Sequence, residues 1–215
     1  MLELNGEYNK DCKIFVDQIE QEAISSIQAI LDKKVSDGVP VRIMPDVHAG
    51  KGITIGFTMP LTELLSPAYV GVDIGCGMCS VNTEIKKSDM FPKQKDVEEA
   101  FNKIRQVIPL GKNKRTSYHP DAGEFKSATG DKSLTQMCNE NNKLQLGTLG
   151  GGNHFIELGV NSKDEVNITI HSGSRKGGWD IGNYFMKAAT KINHNKFLRL
   201  NSDLGQAYWL DLQFF

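Results

Sequence analysis

Hydrophobic positions along the chain switch between a helical and a strand-like period, and each switch marks an element. Residues 14–31, IFVDQIEQEAISSIQAIL, place Ile24, Ile27 and Leu31 at helical spacing and predict an amphipathic helix with its apolar face on a core. Val39, Val41 and Ile43 alternate as in a half-buried strand, which Pro45 is expected to end. Beyond Gly50, Gly52 and Gly56, ITIGFTM predicts another short strand. YVGVDIG and MCSVNTEI predict two more, around Gly75 and Gly77. The helical period returns in DVEEAFNKIRQVI (96–108), where Val97, Phe101, Ile104 and Ile108 form the stripe. Asp96 and Glu99 there have the spacing of a capping box. The polar stretch from Ile108 to Ser127 reads as a loop. NHFIELGV and VNITIHSGSR predict strands, and WDIGNYFMKAATKI a third helix. In the final GQAYWLDLQFF, Tyr208, Trp209, Leu212 and Phe215 recur at near-helical spacing with no polar cap or glycine after them. No repeat, low-complexity segment or long linker divides the chain, so residues 1–215 read as a single domain.

Composition narrows this picture a little. The chain has 215 residues, 39% hydrophobic and 24% charged, an ordinary globular balance. Its net charge of −1 gives no global field for nucleic acid, so any basic surface must be local. No apolar run reaches the ~18 residues of a membrane helix, and no signal pattern opens the chain, so a cytoplasmic location is expected. The four cysteines, Cys12, Cys76, Cys79 and Cys138, are too sparse for a disulfide framework and fit a reducing compartment. The 21 glycines gather at 50–56, 71–77, 147–152 and 173–178, as tight turns or close approach to a ligand require.

Candidate chemistry gathers at the same glycines. Asp73, Cys76, His154 and His171 each sit where an apolar strand is expected to end beside glycine. A carboxylate, a thiolate and two imidazoles delivered to one sheet edge make a divalent-metal site. Thiolate and imidazole favour zinc, whereas the aspartate widens the choice toward manganese or iron. Singly, each residue is as well explained as a buried small hydrophobe or a hydrogen-bonded core histidine. Cys76 and Cys79 have the C-x-x-C redox spacing, but a redox pair should open a helix. Here a strand follows, and Cys79 is expected to be buried. GSRKGG at 173–178 reads either as an anion nest aimed by Arg175 and Lys176 or as a solvated basic turn. Lys112, Lys114 and Arg115 either touch a nucleic-acid backbone or keep a loop soluble.

Four motifs in order, MPDVHAGKG, VGVDIGCGM, LGTLGGGNHFIEL and HSGSR, resemble the RtcB family of RNA-splicing ligases over nearly the whole chain. The resemblance implies an α+β fold, with layered sheets, helices outside, and a metal and nucleotide site at converging strand ends. It implies GTP- and manganese-dependent joining of RNA 3′-phosphate or 2′,3′-cyclic phosphate ends to 5′-hydroxyl ends through a guanylylated histidine. Cys76 would bridge two manganese ions, Asp73 and His154 would complete one ion's protein ligands, and His171 would bind the other. Asn153, His154, Phe155, Ile156 and Glu157 would line the GTP site, with Glu157 reading guanine. Asp46 would orient the histidine that takes GMP. The implied partners are RNA ends, from transfer-RNA halves or damaged RNA, and no membrane.

The resemblance also implies a departure. Two family histidines, the nucleophile and a further ligand of the ion bound by His171, have no counterpart in these motifs; His194, in KINHNKF, lies outside them. The apolar terminus is then expected to be a truncation. Three readings follow. They are the N-terminal part of a ligase, half of an enzyme completed by a separate chain, and a non-catalytic metal- or RNA-end-binding protein. A zinc hydrolase using the same cluster is weaker, since only Asp46 or His48 is on offer as a general base.

Overall fold

The computed structural model describes residues 1–192 and 196–215; His194 lies outside them. The chain begins with β1 (Leu2–Leu4), β2 (Cys12–Ile14), α1 (Gln21–Leu31), β3 (Val41–His48), β4 (Ile55–Thr58), β5 (Leu64–Leu65) and the single turn α2 (Pro67–Val70). It continues with β6 (Gly77–Lys86), the short α3 (Lys87–Met90), α4 (Gln94–Val107), α5 (Lys132–Gln145), β7 (Phe155–Val160) and β8 (Glu165–Ser172). It closes with α6 (Arg175–Ile192), β9 (Leu198–Arg199) and α7 (Asp203–Gln213). This is an α+β protein. Two compact units emerge, one of Met1–Gly71 with Phe185–Gln206 and one of Val72–Tyr184 with Ala207–Phe215.

The first unit holds a mixed sheet in the order β1-β2-β3-β4. Cys12 and Ile14 pair in parallel with Val41 and Ile43, and all four join Ile27 and Leu31 of α1 in one core cluster. The helix is shorter than the sequence predicts because its expected first residue, Ile14, belongs to this ladder. β3 runs through Pro45 instead of stopping there. Its pairing with β4 shifts between Ile43 and His48, and such an irregularity accommodates a residue with no N–H to give.

YVGVDIG is not a strand. Pro67 opens α2, where its missing N–H costs nothing, and Gly71 ends it with φ +90. Asp73 to Cys76 is then a turn, closed by the Cys76 N–H on the Asp73 carbonyl at 3.2 Å. The alternation of Val70, Val72 and Ile74 imitated a strand without forming one.

The second unit is built on the antiparallel sheet β6-β8-β7. Its helix α5 escapes a reading by hydrophobic period, because its inner face is Leu134, Cys138, Asn141 and Gln145, half of it polar. Asp131 caps it, accepting hydrogen bonds from the N–H groups of Ser133 and Leu134 at 2.9 and 3.0 Å. In α4 the capping role falls on Asp96 from inside the helix, where it accepts the Lys93 N–H at 2.8 Å.

Every residue of β6 except Thr83 is exposed, including Cys79, whose expected burial is therefore wrong. An edge strand needs a covering layer to bury its side chains, and none lies on β6 among the described residues. The apolar stripe of α4 is covered in part: Val97 and Phe101 are exposed, Phe101 by 57%, whereas Ile104 and Ile108 are half-buried.

Asp211 of α7 fastens the loop after Phe125. Its buried carboxylate accepts the Ser127 hydroxyl and the Ala128 N–H, each at 2.7 Å. Burial raises its pKa, and these two hydrogen bonds oppose the rise. Asp211→Ala leaves both donors without an acceptor and is expected to cost about 2 kcal/mol, with a smaller loss for Asp211→Asn, read by urea unfolding.

Candidate metal centre

The antiparallel order of the second sheet gathers the candidate residues at one end. β6 and β7 begin where β8 finishes: Gly77 pairs with Ser172, Met78 with His171, and Phe155 with His171. His171 is thus the one candidate inside a strand near its exit. Cys76 and His154 stand one residue ahead of β6 and β7, at strand entries, and Asp73 lies in the turn before β6. The expected common setting at strand exits is incorrect, yet the convergence it predicted is present, because entry and exit share one edge in antiparallel pairing.

The donor atoms meet closely. Cys76 Sγ lies 2.9 Å from His171 Nε2 and 3.9 Å from His154 Nε2. His154 Nε2 also lies 2.9 Å from Asp73 Oδ2. The two imidazoles stand edge to face with centroids 5.3 Å apart, and Phe155 backs His171 at 5.5 Å. The ligand atoms of Cys76, His154 and His171 all fall within 4.8 Å of one another. Ligands at roughly 2.0–2.3 Å from a tetrahedral ion are about 3.3–3.8 Å apart; the observed 2.9 and 3.9 Å fall on either side of that spacing, so side-chain shifts of under about 1 Å would fit a divalent cation among these atoms.

Burial first, and then the neighbouring Asp73 charge, push the Cys76 thiol above its ordinary pKa. A cation that takes this sulfur must therefore displace its proton. His154 Nδ1 is buried with no hydrogen-bond partner among the described residues.

Asp73 is held by more than His154. Its Oδ1 accepts both the N–H of Ser174, at 2.9 Å, and the Ser174 hydroxyl, at 2.7 Å. Ser174 was not singled out from the sequence, although it stands inside HSGSR. Two glycines make the approach possible. A Cβ on Gly173 would lie 2.1 Å from Asp73 Oδ2, and one on Gly150 would lie 1.8 Å from His154 Nδ1. The glycine clusters at 147–152 and 173–178 thus seat the carboxylate and the imidazole.

The other candidates are placed as follows. Asn153 and Glu157 are exposed, Phe155 and Ile156 half-buried, and Glu157 makes no hydrogen bond or ion pair among the described residues. Phe155 and Glu157 share the face of β7 opposite to that of Ile156. An exposed carboxylate without a partner is compatible with reading a base edge. Asp46 lies on β3 in the first unit, where its carbonyl is 2.8 Å from His48 Nδ1.

Comparison with known proteins identifies the family. The family model described as tRNA-splicing ligase RtcB matches residues 34–132 and 114–213, well over half of the chain. The chain belongs to the RtcB family. It is 39% identical over 166 residues to the RNA-splicing ligase RtcB of Escherichia coli K12, covering 70% of this chain and 40% of that protein. It is 30% identical over 224 residues to the tRNA-splicing ligase RtcB of Methanococcus maripaludis, covering 77% of this chain and 46% of that one. This RtcB chain therefore spans less than half the length of the curated relatives it matches.

The close seat of Asp73 makes a prediction. Gly173→Ala should destabilise the protein by about 1–3 kcal/mol through overpacking. Adding Asp73→Ala should cost less than the sum of the two single changes, since the clash goes with the carboxylate. Strict additivity in thermal unfolding would contradict this packing.

Proposed function

We propose that this chain is the metal- and nucleotide-holding part of an RNA ligase that joins 3′-phosphate or 2′,3′-cyclic phosphate ends to 5′-hydroxyl ends with GTP and manganese. The observation that carries the reading is the meeting of Asp73, Cys76, His154 and His171 at one end of the β6-β8-β7 sheet. Cys76 would hold both ions, which its contact with both histidines supports. Asp73 and His154 would serve one ion and His171 the other. Two divalent cations, when bound, neutralise phosphate charge and polarise the oxygens exchanged in phosphoryl transfer.

The chain's own residues then have distinct tasks. Ser174 fixes the Asp73 carboxylate beside His154 Nε2, so that the two would offer an oxygen and a nitrogen to the same ion. Asn153 to Glu157 line the GTP site, and Glu157 reads guanine. Asp46 orients the nucleophilic histidine. That histidine and a further ligand for the ion of His171 come from outside these residues, from the remaining length that the relatives have or from a separate chain. The uncovered β6 and the exposed Val97 and Phe101 of α4 are surfaces that such additional protein would cover. The substrates are the ends of transfer-RNA halves or of damaged RNA.

Cys76→Ala should abolish tight manganese retention, with His154→Ala and His171→Ala each weakening it less, read by metal analysis after gel filtration. Unchanged metal content in Cys76→Ala would remove the bridging role. Intact mass after incubation of the chain alone with manganese and GTP should show no added GMP. An adduct would put a nucleophile among these residues and overturn its supply from outside them.

A further inference from the structure

Beside Asp73 and His154 the second unit opens into a cavity of about 670 Å³ whose wall carries Lys112, Lys114, Arg175, Lys176 and Trp179. Four cations around one cavity are a local concentration of charge in a chain whose net charge is −1. They are not equally free. Lys114 Nζ donates to Asn141 Oδ1 at 2.9 Å, and Asn141 Nδ2 donates to the buried Asp180 at 3.2 Å. Lys176 pairs with Asp180 as well, so one negative charge behind the wall offsets part of the field.

Arg175 is structural as much as electrostatic. Its Nε donates to Thr148 Oγ1 at 3.0 Å and its Nη2 to the Gly111 carbonyl at 2.6 Å, which anchors the loop bearing Lys112. Lys112 itself is exposed and has no hydrogen-bond or ion-pair partner among the described residues. Trp179 is 46% exposed, with Lys176 Nζ 4.2 Å from the centre of a ring face.

A half-exposed indole among free and tethered cations suits a ligand with both a flat base and phosphates. A duplex keeps its base faces in the stack, whereas a single strand presents them. Of the residues assigned to the GTP site, His154 lines this cavity, and Asn153, Phe155, Ile156 and the guanine-reading Glu157 do not. We infer that the cavity holds the terminal nucleotides of a single-stranded RNA 3′-phosphate end, with a base stacked on Trp179 and backbone phosphates on Lys112 and Lys114. This inference rests on the ligase reading above and assigns a strand path to its metal centre.

The test is fluorescence anisotropy of a labelled single-stranded oligoribonucleotide ending in a 3′-phosphate, titrated with the 215-residue chain across a salt series. Trp179→Ala should weaken binding about tenfold, and Trp179→Phe should recover most of the loss. Lys112→Ala should weaken all sequences alike and reduce the salt slope by about 0.7. Both positions are exposed enough for the variants to fold. Manganese retention, read on the same samples, should not change. Wild-type affinity in both Trp179→Ala and Lys112→Ala would overturn the assignment, as would an equal loss of GTP binding in Trp179→Ala. If the cavity variants leave RNA binding untouched while manganese is retained, only the strand path fails. A wild-type chain that retains no manganese removes the metal centre instead.

Discussion

The Asp73 carboxylate ties the site together. One oxygen faces His154 Nε2 at 2.9 Å, and the other takes two hydrogen bonds from Ser174. A single side chain in a turn thus joins the entry of β7 to the segment between β8 and α6. The charge it carries adds to the burial that raises the Cys76 thiol, so the same group that positions His154 also bears on the thiol's protonation. Without a carboxylate there, His154 Nε2 would keep only its longer approach to Cys76, at 3.9 Å. The glycines on either side are the steric condition for this arrangement, because Cβ atoms at 150 and 173 would occupy the space of the groups being held.

Much of this is written in the sequence at the level of residue type. Asp73, Cys76, His154 and His171 could be named because unusual chemistry sits beside clustered glycine, a local signal. Their setting was misread because antiparallel pairing, which puts a strand's entry beside its neighbour's exit, is not a local property. The same limit explains YVGVDIG, where alternation matched a strand but Pro67 and Gly71 imposed a turn of helix. Cys79 was misjudged for the complementary reason. Sequence apolarity indicates what would be buried if a layer were present, and β6 has none on it among the described residues.

The helix α5 is the most informative omission. Its buried face ends in Asn141 and Gln145, so a search for apolar spacing passes over it. Those polar residues have work to do. Gln145 Oε1 accepts the Lys176 N–H at 2.8 Å, and Asn141 connects Lys114 to Asp180. Polar groups inside a helix interface lower its legibility as a core element and mark it as one that serves a site. The basic loop from Lys112 to Arg115 shows the same thing from the other side. Arg115 is engaged with the Leu146 carbonyl at 2.9 Å, whereas Lys112 stays free. Spacing alone cannot divide a charged run into scaffold and surface.

The partners in the cluster are far apart along the chain. Cys76 and His154 are separated by 78 residues, Cys76 and His171 by 95, and Asp73 and Ser174 by 101. Contacts of such span form late in folding, because the loop between them must close before they contribute anything. The pairing of Gly77 with Ser172 has the same span, so the centre and the end of the sheet on which it sits close the same long loops. An ion bound there acts as a clasp on those closures, stabilising the finished unit by mass action.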